Sequence, residues 1–399
     1  MIKQKIKIKY PDLLFARLYY FIFMGSNGFI LPFMNLFYTS LGFNGKQIGL
    51  IASTSAVIGL MAAPILVNEI KKRPNGRNYL QFLLVFGATG YFLISHQTTF
   101  LAIIIVIIFQ ALVSSSVGPL SDSMAVTAAK NSDAGYGSIR VLGSLGWIMI
   151  VPISGWLLER YGYTAGFNGV TIGWICAACM LFLVSNQNFG YTVTQTTAQK
   201  PGLWVTAKNT FNNRTLLGFA IALIATGFLN NGVQQFENVF LFQLGATKQL
   251  ISFAGILSAI VELPFMLIAD KIQRRFGPHR MLLIALLLTL AQRTTVLILP
   301  SIPTIMIVRF IGGVAFSFYT VSFIGLISLH TDPGETSTVL ALFTVTLASG
   351  VTVIASPIAG ALFDLIGARW LYTFSASGYA IAVISLWITR PSSINHTSR

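Results

Sequence analysis

Polar residues interrupt this chain at nearly regular intervals, and the apolar runs between them are each about the length that crosses a bilayer as a helix, roughly 20 residues. The pattern predicts twelve such runs, with cores at 13–40, 47–70, 79–95, 100–128, 137–158, 166–185, 215–243, 249–269, 280–299, 303–329, 337–362 and 370–389. The longest polar break, 186–213, is rich in Asn, Gln and Thr and reads as a flexible linker between six runs and six. The two sides of that break resemble each other. Pro152, Gly155, Glu159 and Gly162 recur as Pro357, Gly360, Asp364 and Gly367, and Leu41-Gly42 before Lys46-Gln47 recurs as Leu244-Gly245 before Lys248-Gln249. Pro64 and Arg77 have counterparts in Pro264 and Arg280. Recurrence at a nearly constant offset points to an internal duplication, and parallel six-span halves are a plan used by transporters, with the solute held near the midplane. The expected architecture is an all-α membrane protein of twelve transmembrane helices in two six-helix pseudo-symmetric bundles, residues 1–185 and 214–399, joined by a cytoplasmic linker at 186–213.

Composition supports a membrane location. Of 399 residues, 54% are hydrophobic and 9% charged, against about 25% charged in a soluble domain. A net charge of +15 raises the question of a nucleic-acid partner, but its placement answers a different one. Lys3, Lys5, Lys7 and Lys9, then Lys71, Lys72, Arg73 and Arg77, then Lys130, Lys200, Lys208, Arg214, Lys271, Arg274, Arg275, Arg280, Arg390 and Arg399 all fall on one side of the predicted spans. Lys46, Arg160, Lys248 and Arg369 fall on the other. Positive loops stay in the cytoplasm, so both termini are expected there and no nucleic acid is expected as partner. The Lys-rich start resembles the charged region of a signal peptide, yet the apolar run behind it is too long for a cleavable one, and the first span is expected to be retained. Cys176 and Cys179 form a C-x-x-C inside the sixth run with no second thiol pair or histidine beside them; they are expected to be small packing residues. No metal site and no cofactor is expected.

Charge within the runs carries the candidate chemistry, because an ionised group deep in a bilayer usually faces a cavity or a partner. Asp122 and Arg140 lie on neighbouring predicted helices, and Trp147 follows Arg140 by two helical turns. Together they offer a carboxylate for solute hydroxyls, a guanidinium that donates in a rigid fork, and an aromatic plate; a helix-locking salt bridge is the alternative use. The seventh run carries Asn230, Gln234 and Glu237 on one face by their i, i+4, i+7 spacing, with Gln235 adjacent. So long a polar face suits a water-filled cavity. Glu262 sits in the apolar body of the eighth run near Pro264. Desolvation disfavours a charged carboxylate, which suits a proton carrier, and Arg293 on the next run is the expected partner that alternates with it; Glu237 is the rival acid. Asn27, shortly before Pro32, is a further candidate solute contact. Arg17, Glu159 and Asp364, at span ends, are expected to snorkel or latch, and Arg309 fits either use.

On these residues the chain resembles the major facilitator superfamily over essentially its whole length. Asp270-Lys271 followed by Arg274-Arg275-Phe276-Gly277 is similar to that superfamily's acidic–basic gating loop, while Glu69-Ile70-Lys71-Lys72-Arg73 departs from it by lacking the glycine–aspartate arrangement. Gly118-Pro119, Asp122 and the stretch Gly137–Trp147, with Gln234-Gln235-Phe236 and Arg293, resemble the lactose-permease group of oligosaccharide, nucleoside and phenylpropionate proton symporters. The resemblance implies that Asp122 and Arg140 hold solute hydroxyls and that Trp147 stacks on a ring. Gly312-Gly313-Val314-Ala315-Phe316-Ser317 stands where that group has a histidine and a glutamate, and the eleventh run lacks its lysine. Proton coupling must then rest on other acids.

The reading is therefore a secondary active transporter importing a sugar- or nucleoside-like solute by alternating access, with proton symport. The alternatives are an aromatic-acid permease or exporter of the same superfamily, or a non-transporting membrane sensor. An enzyme is not expected: the chain has no phosphate-cradling G-x-x-x-x-G-K-[ST] loop, so a gradient would supply the work. The expected partners are a small polar solute, H+ and the lipid bilayer. A monomer in a bacterial inner membrane is what the resemblance implies.

Overall fold

Helix formation here needs no partner. Backbone groups shielded from water must bond within their own segment, and an apolar run of this length does so only as a helix. The computed structural model describes residues 11–71, 73, 75–132, 135–189, 208, 210–331 and 335–390. Among them are 12 helices long and apolar enough to cross a membrane: α1 Pro11–Ser40, α2 Gly45–Ile70, α3 Gly76–Ser95, α4 Phe100–Lys130, α5 Gly137–Tyr161, α6 Tyr163–Leu183, α7 Arg214–Gln243, α8 Lys248–Phe276, α9 Pro278–Ile298, α10 Ile302–His330, α11 Thr338–Ile366 and α12 Ala368–Ile388. Each covers one run read from the sequence. Their outward side chains are apolar, Leu267 at 81% exposure and Leu365 at 79% being examples, as lipid-facing surface requires. The Lys-rich start and most of the expected linker lie outside the described residues.

Besides α4, which breaks at Ser115–Ser116, and α6, which ends in a 3-10 turn at Leu181–Leu183, three spans are less regular than their hydropathy. α1 breaks after Asn27 into a 3-10 turn, Leu31–Phe33, where Pro32 cannot donate to the helix. α7 breaks at Asn230, the first amide of its polar face. In α11, Leu342–Leu347 widens into a π-helical segment, a form frequent at functional sites. Hydropathy is blind to all three because it averages over the whole span.

The described residues form two compact units, one from those within 11–34 and 58–189, the other from those within 35–57 and 208–390. Within the first, α1 packs on α5 and α6, and α3 on α4 and α6; within the second, α7 packs on α11 and α12, and α9 on α10 and α12. The same pairs recur six spans later, so the sequence repeat is also a repeat of packing. Lipid is as apolar as leucine, so membrane helices associate through close fit and hydrogen bonds instead. Gly146 illustrates this: any side chain there would strike the Phe21 carbonyl of α1. The repeated Gly162 and Gly367 mark equivalent turns, at φ 76° and 79°, where other residues are strained. The second unit takes in 35–57 because α2 begins against α11. Asp364 accepts from the Gly45 N–H at 2.6 Å and the Lys46 N–H at 2.9 Å, so it caps the start of α2.

One placement differs from the sequence reading. Asp270, Arg274 and Arg275 are not in a loop but in the last turns of α8, which continues to Phe276 because nothing ends it before Gly277 at φ 80°. All three are exposed.

Candidate functional site

Polar residues on α7, α9 and α10 face inward within the second unit, around a cavity of about 640 Å³, a size suited to a small organic ligand. Asn230, Gln234 and Glu237 of α7 all line it, as their helical spacing predicts. Glu237 is the centre of its charge. Arg293 Nη1 donates to Glu237 Oε1 at 3.2 Å, and Arg309 donates to Oε2 from Nε at 2.9 Å and Nη2 at 2.7 Å. Tyr372 adds its hydroxyl to Oε1 at 2.8 Å, and Arg309 Nη2 also reaches Asn238 Oδ1 at 2.6 Å. The three charged side chains are 13–16% exposed. Every group touching this carboxylate donates to it.

The cavity wall also carries donors with nothing to bond. Among the described residues, Gln292 Nε2 and Arg293 Nε on α9 are buried without a hydrogen-bond partner, and Gln292 is only 7% exposed. Both residues line the cavity, but these two atoms are themselves shut off from it.

In the first unit, Asp122 Oδ1 accepts from the Tyr20 hydroxyl at 2.5 Å and the Tyr136 hydroxyl at 2.8 Å, with Arg140 Nη1 at 3.6 Å. Asp122 and Arg140 are 47% and 52% exposed. At that distance and exposure a pair contributes little, about 0–1 kcal/mol, so Arg140 is held loosely. Trp147 is partly exposed, two turns along α5 from Arg140.

The remaining candidates fare differently. Asn27 is 9% exposed; its Oδ1 accepts from Trp174 Nε1 at 3.0 Å and its Nδ2 donates to the Phe23 carbonyl at 3.0 Å. Its amide ties α1 to α6. Asn27→Ala should leave the indole N–H unpaired and lower stability by about 1–3 kcal/mol, measured as thermal unfolding in detergent; an unchanged melt would mean that Trp174 finds another acceptor. Gln235 does not line the cavity: it donates to Asn231 on its own helix, and its backbone carbonyl accepts from Asn35 at 2.7 Å. Glu262 is half-buried, and among the described residues its carboxyl has no ion pair. Arg293, expected beside Glu262, is instead held by Glu237, because the α7 carboxylate meets α9 and α10 together. Cys176 and Cys179 are free and exposed on α6 rather than packed.

Sequence reasoning missed Tyr20, Tyr136 and Tyr372, and also Tyr379 of α12, which lines the cavity. Tyrosine carries no charge and counts as apolar in a hydropathy scan, so it leaves no signal inside an apolar run.

A family model described as the MFS_1 like family matches residues 13–374. The maltose permease of Geobacillus stearothermophilus is 27% identical over 278 residues, which cover 69% of this chain and 68% of that protein. A probable 3-phenylpropionic acid transporter of Escherichia coli is 23% identical over 168 residues, 41% of this chain and 43% of that protein. Among solved structures, the nucleoside transporter NupG is similar in fold, with a TM-score of 0.79 over 94% of this chain and 98% of that one, at 15% identity.

Proposed function

This chain belongs to the MFS_1 like family of transporters, and from that premise we propose that it imports a sugar- or nucleoside-like solute by proton symport, through alternating access of six-helix halves 1–185 and 214–399. The observation that carries the reading is the second-unit cavity with its polar α7 face of Asn230, Gln234 and Glu237. A hydroxyl-rich solute bonds to amides of that kind. In the first unit Asp122 accepts solute hydroxyls, the loosely held Arg140 donates, and Trp147 offers its ring. A maltose permease among the relatives agrees with a sugar.

Glu262 is the proposed proton carrier. Glu237 is committed to two guanidiniums and a phenol, whereas Glu262 has no such commitment. The gating end of α8, with Asp270, Arg274 and Arg275 exposed, stays free to bond and release during the cycle.

Purified protein in proteoliposomes, with acid outside, tests this. Labelled maltose or uridine is expected to accumulate, Arg140→Ala to cut uptake roughly 10–100-fold by loss of a charged hydrogen bond, and Glu262→Gln to keep exchange but lose uphill uptake. Uptake that survives Arg140→Ala would reduce Asp122–Arg140 to a structural bridge. Proton-driven accumulation by Glu262→Gln would remove that acid from the coupling.

One observation favours a second reading, an aromatic-acid permease. The cavity's charged lining is two arginines against one glutamate, a surplus of positive charge that an acid solute would neutralise. Accumulation of 3-phenylpropionate in place of maltose and uridine would select it.

A further inference from the structure

A second recess of about 670 Å³ opens at the end of the second unit where α8 and α10 finish, α9 begins and α12 ends. It is lined by the basic side chains Arg280, Arg390, His279 and His330, and no acidic residue is among its described lining. Two of these groups are fixed by backbone: His279 Nε2 bonds the Leu386 carbonyl at 3.0 Å, and His330 Nδ1 the Leu326 carbonyl at 2.9 Å. The arginines are exposed, and the Arg390 guanidinium lies 5.3 Å from the Trp387 ring centroid, a stacking distance. Nearby, Arg214 Nη2 donates to the Ile388 carbonyl at 3.0 Å, adding positive charge behind the recess.

The same recess has an apolar side. Leu329, Trp387 and Phe276 line it and are exposed. A free anion has no use for such a wall, but a lipid has two ends to place. The position fits as well: the recess sits at the ends of four membrane-spanning helices, at the depth of headgroups, on the side the distribution of Lys and Arg predicts to be cytoplasmic. Arginine forks match phosphate oxygens, tryptophan favours the boundary between acyl chain and water, and basic recesses between helices on that side hold anionic headgroups.

We propose that this recess binds the phosphate of an anionic phospholipid, with Arg280 and Arg390 on the headgroup and Leu329, Trp387 and Phe276 against the acyl chains. The site is separate from the cavity among α7, α9 and α10 and owes nothing to the solute reading. It assigns a role to Arg280 and Arg390 beyond setting orientation, since orientation needs charge but no recess.

The test uses the full chain in a non-ionic detergent, followed by native mass spectrometry with added phosphatidylglycerol, phosphatidylcholine or inorganic phosphate. The parent protein should retain phosphatidylglycerol about tenfold better than phosphatidylcholine, and millimolar inorganic phosphate should not displace it. The double variant Arg280→Gln/Arg390→Gln should lose that preference, Arg280→Lys/Arg390→Lys should keep part of it, and Arg369→Gln, at the opposite end of α12, should keep all of it. Equal retention of the two lipids by the parent, full preference in the Gln double variant, or displacement by inorganic phosphate would each overturn the proposal. Elution as a monodisperse peak, checked for every variant, separates loss of lipid from loss of fold.

Discussion

Glu237→Ala is expected to destabilise the protein by about 3–5 kcal/mol, the range for removing one partner of a buried ion pair. The reason is the number of charges left behind. Glu237 is the counter-charge for both Arg293 and Arg309, which are themselves buried to within 16% and 13% exposure. Without it, two guanidiniums face each other across the cavity with only Asn238 and tyrosine hydroxyls for company. Thermal unfolding in detergent measures the effect. Glu237→Gln, which keeps the shape and an acceptor, should fall between parent and Ala. The triple replacement Glu237→Leu/Arg293→Leu/Arg309→Leu should recover much of the stability, because removing a whole buried cluster is often neutral, and it should transport nothing. If Glu237→Ala melts with the parent, the cluster is solvated in solution and is not the electrostatic centre of the cavity.

The contrast between α7 and α1 shows what a membrane sequence reveals and what it conceals. On α7, polar residues stand against an apolar background, and helical spacing alone puts Asn230, Gln234 and Glu237 on one face; all three line the cavity. Arg293 stood out for the same reason, as a charge with nowhere in lipid to go, whereas Arg309 read only as a residue that snorkels or latches. Which acid they serve was not legible, because pairing depends on how α7, α9 and α10 meet, and the choice between Glu237 and Glu262 is one of tertiary distance. Asn27 shows the opposite failure. It stood out as polar in an apolar run, but its partner is Trp174 on α6, and spacing cannot separate an amide facing a solute from one tying two helices. The span ends were legible because charge and proline stop hydropathy runs; the breaks at Asn27 and Asn230 were not, because they fall within them.

Gly360→Trp is expected to abolish transport while leaving the helices intact. A side chain at Gly360 would run into the Gly45 backbone of α2, one at Gly45 would run into the Gly360 carbonyl, and one at Gly49 into Ser356. α2 and α11 therefore touch backbone to backbone along about one turn. The Asp364 carboxylate closes the contact by capping the first N–H groups of α2, where a negative charge is favoured by the helix dipole. Even one added methyl overpacks such a contact, at about 1–3 kcal/mol, and an indole leaves no arrangement except separation. A crosslink reports it directly. Ser53 Oγ lies 2.6 Å from the Val353 carbonyl, so a Ser53→Cys/Val353→Cys pair, with the exposed Cys176 and Cys179 first replaced by Ser, should be joined by a short bifunctional thiol reagent in the parent and not in Gly360→Trp. If alternating access requires this contact to open and re-form, the variant still binds solute and fails to carry it. Normal crosslinking in Gly360→Trp would mean that the indole is accommodated without parting α2 and α11. Normal uptake with the crosslink lost would mean that their contact is not a step in the cycle. Asp364→Asn discriminates further: it leaves the glycine contact in place and removes only the charge, so a milder fall in uptake would assign closure chiefly to the backbone fit and not to the cap.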